Sequence, residues 1–118
     1  MGEVANHDPI LKRDSVYLAN QGTHLRSLQN YPMYYAISDV FGEGKPMSVI
    51  SDLFEEQAQV FGSKRDYLAL FADNHDVPRF LHQNGDKALF KSVLTFVLTA
   101  PGIPVVYYGS EQELKGDN

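Results

Sequence analysis

Phe71-Ala72-Asp73-Asn74-His75-Asp76-Val77-Pro78-Arg79-Phe80 (FADNHDVPRF) follows directly on Tyr67-Leu68-Ala69-Leu70, an apolar run with the length of a buried strand. The pattern predicts a strand over 67–72. Where the run stops, the polar cluster Asp73-Asn74-His75-Asp76 begins, and Pro78, which has no N–H, keeps the strand from continuing inside a sheet. A buried strand that releases two carboxylates and an imidazole at its C-terminal end has the layout of a catalytic strand in an α/β protein. Barrels and doubly wound sheets both build their sites at the carboxyl ends of the strands. The competing reading is turn chemistry alone: Asp and Asn cap the next element, and the histidine hydrogen-bonds the backbone.

Downstream, Asp86 is placed to cap a helix whose Leu89, Val93, Phe96, Val97 and Ala100 share an inner face, and Pro101-Gly102 stops it. Ile103 to Tyr108 (IPVVYY) is a β-rich run that ends at Gly109. Upstream, Pro32 suits a first helical turn, and Met33, Ile37 and Val40-Phe41 form one face before Gly42. Gly44-Lys45-Pro46 restarts a helix carrying Met47, Ile50, Phe54 and Phe61, closed by Gly62. These Met and Phe stripes read as core packing rather than as a ligand groove. Asp14 to Gln29 is mixed and polar, with a short strand expected around His24 to Leu28, and Asn6-His7-Asp8-Pro9 is turn-rich. The order helix, helix, strand, helix, strand argues for a parallel sheet with helical crossovers.

Composition narrows the function. The chain has 118 residues, 43% of them hydrophobic, enough for one domain with a core. Ten Lys and Arg stand against fifteen Asp and Glu, and no basic stripe offers phosphate contacts, which argues against nucleic acid or an anionic membrane as partner. Without cysteine there is neither a disulfide framework nor a thiolate metal site. No apolar run approaches the ~20 residues that span a bilayer. Met1 to Ala5 lacks the basic and apolar regions of a signal peptide. The compartment stays open on these grounds.

Three stretches, taken in order and spacing, carry a resemblance: Gly2 to Pro9 (GEVANHDP), FADNHDVPRF, and Gly102 to Gln112 (GIPVVYYGSEQ). They resemble consecutive segments of the alpha-amylase family of glycoside hydrolases. Asn30-Tyr31-Pro32-Met33-Tyr34-Tyr35 is similar to the family's segment around its sixth strand. The resemblance covers nearly the whole chain. It implies an α/β fold, a (β/α)8 barrel, of which residues 1–118 supply the part from about the end of strand 5 to strand 8.

The resemblance also implies site residues. Glu3 matches the family's general acid/base, Asp76 the third carboxylate that stabilises the transition state, and His75 a substrate-binding histidine. The nucleophilic aspartate belongs to a fourth-strand motif that no residue of this chain matches. The implied activity is retaining hydrolysis of α-1,4-glucosidic bonds in starch-like polysaccharides by a longer enzyme, with an α-glucan as partner. The family's calcium ligands lie mostly earlier than these segments. No metal site is therefore assigned here and no cofactor is expected of this stretch, while calcium is expected in a full-length parent. The family also suggests a secreted protein.

The chemistry explains the residue types. Retaining hydrolysis needs a protonated carboxyl on the leaving oxygen and an ionised nucleophile about 5–5.5 Å away. A further fixed carboxylate hydrogen-bonded to sugar hydroxyls favours the distorted, positively charged ring. Alternation puts Asp73 on the same side of an extended strand as His75, yet we read Asp73 as scaffold and Tyr107-Tyr108 as packing. Two alternatives stand beside this reading. A strand followed by Asn-His-Asp also occurs in metallophosphoesterases, but the four histidines include no His-x-His pair, and the one Asp-x-His, Asp73-Asn74-His75, lies within the motif itself. The other is a truncated chain that holds one candidate acid and no nucleophile, and so is catalytically inactive by itself.

Overall fold

The computed structural model describes residues 27–116. Its sheet is parallel and short. Strand β1 (Ala69–Leu70) pairs with β2 (Ile103–Pro104) in the register Ala69 to Ile103 and Leu70 to Pro104. On the other side of β1, Gln29 pairs in parallel with Ala69, through Ala69 N–H to the Leu28 carbonyl at 2.8 Å and Asn30 N–H to the Ala69 carbonyl at 2.9 Å. Of the strand expected around His24 to Leu28, His24 to Arg26 lie outside the described residues, and the observed pairing involves Leu28 to Asn30. β1 lies between two parallel neighbours.

Helix α1 (Tyr31–Ile37) begins at once after that first segment. Asn30 caps it by accepting the Met33 N–H at 3.2 Å, and Pro32 sits in the first turn, where its missing N–H costs no helical bond. The helix widens into a π-helical turn over Ser38–Gly42, with the Glu43 N–H reaching back five residues to the Ser38 carbonyl. Helix α2 (Ser48–Phe61) ends on Gly62 at φ 55°, a left-handed conformation that suits glycine. A 3-10 segment over Gly62–Tyr67 leads into β1. A short helix α3 (Phe80–Gln83) and then α4 (Lys87–Thr99) follow, and Asp86 caps α4 by accepting from Ala88 and Leu89 N–H at 2.8 and 3.1 Å.

Three expectations are corrected. Tyr67 belongs to the 3-10 segment and is exposed, so the extended run starts at Leu68. Met47 is the residue before α2 and is exposed; the buried stripe of that helix is Ile50, Leu53 and Gln57, with Val49 and Phe54 partly covered. The expected strand Ile103 to Tyr108 also stops early: after Val105 N–H bonds the Leu70 carbonyl at 2.8 Å the run leaves the ladder, and a turn follows at Tyr108 and Gly109.

Why β1 reads as a continuous apolar run is plain from its two faces. Leu70 and Ala72 pack into a helix-side cluster with Met33, Ile37, Ile50, Phe80, Phe90, Val93 and Val97. Phe71 points the other way, into a second cluster with Tyr31 and Tyr34. Both faces are therefore covered, as in parallel sheets generally. Burying each such side chain contributes about 1.5–3 kcal/mol relative to exposure. Gly102 lets β2 approach β1 this closely: a Cβ there would stand 2.8 Å from both the Leu68 carbonyl oxygen and Leu70 Cγ.

Candidate active site

At the carboxyl end of β1 the chain stays buried through Asp73 and Asn74 and then emerges with His75 and Asp76. Asn74 shapes this exit. Its Oδ1 accepts the Asp76 N–H at 2.8 Å, closing an Asx turn. Its Nδ2 donates to Gln29 Oε1 at 3.1 Å and to the Tyr31 hydroxyl at 3.0 Å. The turn is thereby tied to the neighbouring parallel segment and the start of α1. His75 Nε2 lies 3.2 Å from Asp76 Oδ2, and both side chains are more than half exposed, at 64% and 51%.

Behind this exposed pair is a buried polar layer. Asp73 Oδ2 accepts the Phe80 N–H and Oδ1 accepts the Ser110 hydroxyl, both at 3.3 Å. Burial pushes the Asp73 carboxyl above its ordinary value of 3.8, against the opposing pull of the Phe80 N–H, the Arg79 guanidinium and the Ser110 hydroxyl. Burial and the nearby Tyr35 and Asp73 likewise raise Tyr34. Arg79 is itself buried, with its guanidinium carbon 3.9 Å from the Tyr107 ring centre and 4.8 Å from that of Tyr108. The two tyrosines after β2 thus pack on an arginine that follows β1, and Ser110 bonds the acid at the end of β1. Asp73 is bound into this layer and Tyr107 is partly covered over Arg79, whereas Tyr108 is 69% exposed, so packing accounts for only one ring of the pair.

The family described as "Alpha amylase, catalytic domain" matches residues 1–118. The chain belongs to the alpha-amylase family. Among relatives, it is 36% identical over 124 residues to a beta/alpha-amylase of Paenibacillus polymyxa, covering 98% of this chain and 10% of that protein. An alpha-amylase of Saccharomycopsis fibuligera is 35% identical over 118 residues, covering 98% of this chain and 22% of the relative. Among solved structures, a cyclomaltodextrin glucanotransferase with a three-domain ABC distribution superposes with TM-score 0.87 at 35% identity, over 97% of this chain and 23% of that one. An alpha-amylase from Malbranchea cinnamomea gives TM-score 0.84 at 33% identity, over 99% and 24%. The chain therefore spans about a tenth to a quarter of the length of these proteins.

As a member of the alpha-amylase family, the chain has the expected fold class, part of an α/β (β/α)8 barrel: its three parallel segments and their crossover helices match the corresponding part of barrel enzymes. Of the three site residues named from the sequence, the structure brings His75 and Asp76 together at the end of β1. Glu3 lies outside the described residues. Sequence reasoning missed the supports of Asn74. Tyr31 falls within the Asn30–Tyr35 stretch already noted as family-like, but nothing in its spacing discloses a bond to a residue 43 positions later. Among the described residues, no three His, Asp or Glu side chains gather as a cation site. No helix among the described residues is long and apolar enough to cross a membrane.

Proposed function

We propose that this chain is part of a single catalytic barrel domain, residues 1–118 included, in an enzyme that hydrolyses α-1,4-glucosidic bonds of starch-like glucans with retention of anomeric configuration. The observation that carries the reading is the exposed His75–Asp76 pair at the carboxyl end of a buried parallel strand, in a chain matched end to end by the alpha-amylase catalytic domain. Glucan relatives include cyclomaltodextrin glucanotransferases, which extends the substrate class to cyclic and oligomeric α-glucans.

In this reading Glu3 protonates the leaving oxygen and then deprotonates the incoming water. The nucleophile comes from a part of the barrel that this chain does not contain. Asp76 accepts hydrogen bonds from sugar hydroxyls and opposes the positive charge that develops on the ring as the bond breaks. His75 holds hydroxyls in both the ground and transition states. Both side chains are more than half exposed.

The test uses the full-length protein on soluble starch, with the first-formed product followed by NMR. An α-anomer is expected, and β-anomer formation would refute retention. Asp76→Asn should lower kcat by about 10²–10³ with little change in KM, the usual cost of one well-placed electrostatic group. His75→Asn should raise KM and cut kcat less. Wild-type turnover in Asp76→Asn would remove the assignment of that carboxylate.

A further inference from the structure

Asp76 is held by its backbone rather than by its side chain. The carboxylate is half exposed and its described partner is the equally exposed His75. Within a turn also closed by an antiparallel bridge between Asn74 and Val77, the Asp76 N–H donates to Asn74 Oδ1 at 2.8 Å. That bond requires one of the two orientations of the Asn74 amide. Rotating the amide by 180° would put its NH2 group against the Asp76 N–H and its oxygen against Gln29 Oε1, replacing attractions with two like-to-like contacts. In this orientation Gln29 Oε1 and the Tyr31 hydroxyl accept from the Asn74 amide, at 3.1 and 3.0 Å, and tie it to the neighbouring segment.

Tyr31 is built for this task. It is 1% exposed, and its ring stands edge-on to Phe71 at 5.2 Å and 80° and to Tyr34 at 6.4 Å and 78°. Phe71 belongs to the same strand exit as Asn74, so ring and hydroxyl grip one element at two points three residues apart. Asn30 caps the first turn in which Tyr31 sits and is itself bound to Gln57 of α2. The hydroxyl is therefore presented from a rigid support.

We propose that Tyr31 is a positioning residue for the reaction, which acts on Asp76 through the Asn74 amide, with Gln29 as the second acceptor. This rests on the proposed role of Asp76. A displacement of the order of 1 Å at a reacting group can cost about 10²-fold in rate. A loosened turn that still samples the right position should cost less.

The experiment is a double-mutant cycle in the full-length protein, with kcat and KM on soluble starch and melting temperature for each variant. Tyr31→Phe keeps the ring packing and deletes the hydroxyl. It is expected to lower kcat about 5- to 20-fold with KM changed less than about twofold, as befits an effect confined to the transition state. Asn74→Asp keeps an acceptor for the Asp76 N–H but has no N–H to give to Gln29 or Tyr31, and is expected to lose at least as much. Gln29→Met, which removes the other acceptor, should show the same pattern and serves if Tyr31→Phe folds poorly. In an Asp76→Asn background, Tyr31→Phe should cost less than about twofold more, because the group it positions is already gone. An unchanged kcat in both Tyr31→Phe and Gln29→Met, or an equal loss with and without the Asp76 carboxylate, overturns the inference while leaving Asp76 in its role. Wild-type turnover in Asp76→Asn alone overturns the role, and the inference with it.

Discussion

Asn30 and Gln57 exchange two hydrogen bonds across a buried contact, Asn30 Nδ2 to Gln57 Oε1 at 3.1 Å and Gln57 Nε2 to Asn30 Oδ1 at 2.8 Å. Asn30 Oδ1 also accepts the Met33 N–H. One amide thus caps α1, and its partner sits on the inward stripe of α2, so the two helices are locked in register at the end of the first parallel segment. Leaving a buried polar group without its partner costs about 1–3 kcal/mol. Gln57→Leu fills similar space but strands the Asn30 N–H groups. It is expected to destabilise the full-length protein by an amount in that range, read as a lower denaturation midpoint at unchanged slope. An unchanged midpoint would mean that the pair contributes nothing.

That contact marks where the sequence stops being legible. The helices were readable because their apolar residues recur at helical spacing between clear stops, as with Asp86, Gly62 and Pro101-Gly102. β1 was readable from its unbroken apolar run. Gln57, by contrast, reads as a surface residue, and its burial depends on Asn30, 27 positions away. Phe90 falls outside the inner-face pattern of α4, yet it is 3% exposed and stacks on Phe80 at 5.8 Å, because α3 adds a surface that the linear pattern does not announce. His75 and Asp76 were legible as a strand-end motif. The Asn74–Tyr31–Gln29 ties were not, since each joins side chains from different segments.

Asp73 sets a pH dependence. Its carboxyl is raised above 3.8 in the folded protein, mainly by burial. The sign follows from linkage: the folded state holds the proton more tightly, so this group's stabilising contribution is full below 3.8 and is lost as pH rises through the folded value. Asn mimics the protonated form and cannot titrate. The melting temperature of Asp73→Asn relative to wild type should therefore shift in the mutant's favour as pH climbs from about 3 to about 7. A difference that is flat with pH would show that Asp73 titrates normally.

The polypeptide 1–118 alone should associate. Among the described residues β2 pairs only with β1, and Leu98, Ile103, Val106 and Tyr108 beside it are exposed, at 57%, 37%, 46% and 69%. An open strand edge flanked by apolar side chains is a template for pairing with another chain. Light scattering is expected to report particles larger than a monomer, and starch hydrolysis should be undetectable. A monodisperse monomer with a sharp melt and amylase activity would contradict both expectations.

Glu3 is assigned as the acid that protonates the leaving oxygen, and this role predicts a dependence on the leaving group rather than a mere loss of rate. In the full-length protein, Glu3→Gln nearly preserves the shape of the side chain but carries no transferable proton. A glucosidic oxygen of starch leaves as a poor alkoxide unless it is protonated, so hydrolysis of starch should fall by about 10²–10⁴, the usual span of general acid catalysis. An aryl α-glucoside with an electron-poor phenol needs little protonation, and its first step should proceed far closer to the wild-type rate. The second step still needs a base to activate water, so the covalent intermediate should accumulate and give a burst of phenol before the steady state. Added azide, which needs no deprotonation, should then speed turnover of the mutant. Comparable losses on both substrates, with no burst and no response to azide, would show that Glu3 is not the acid/base.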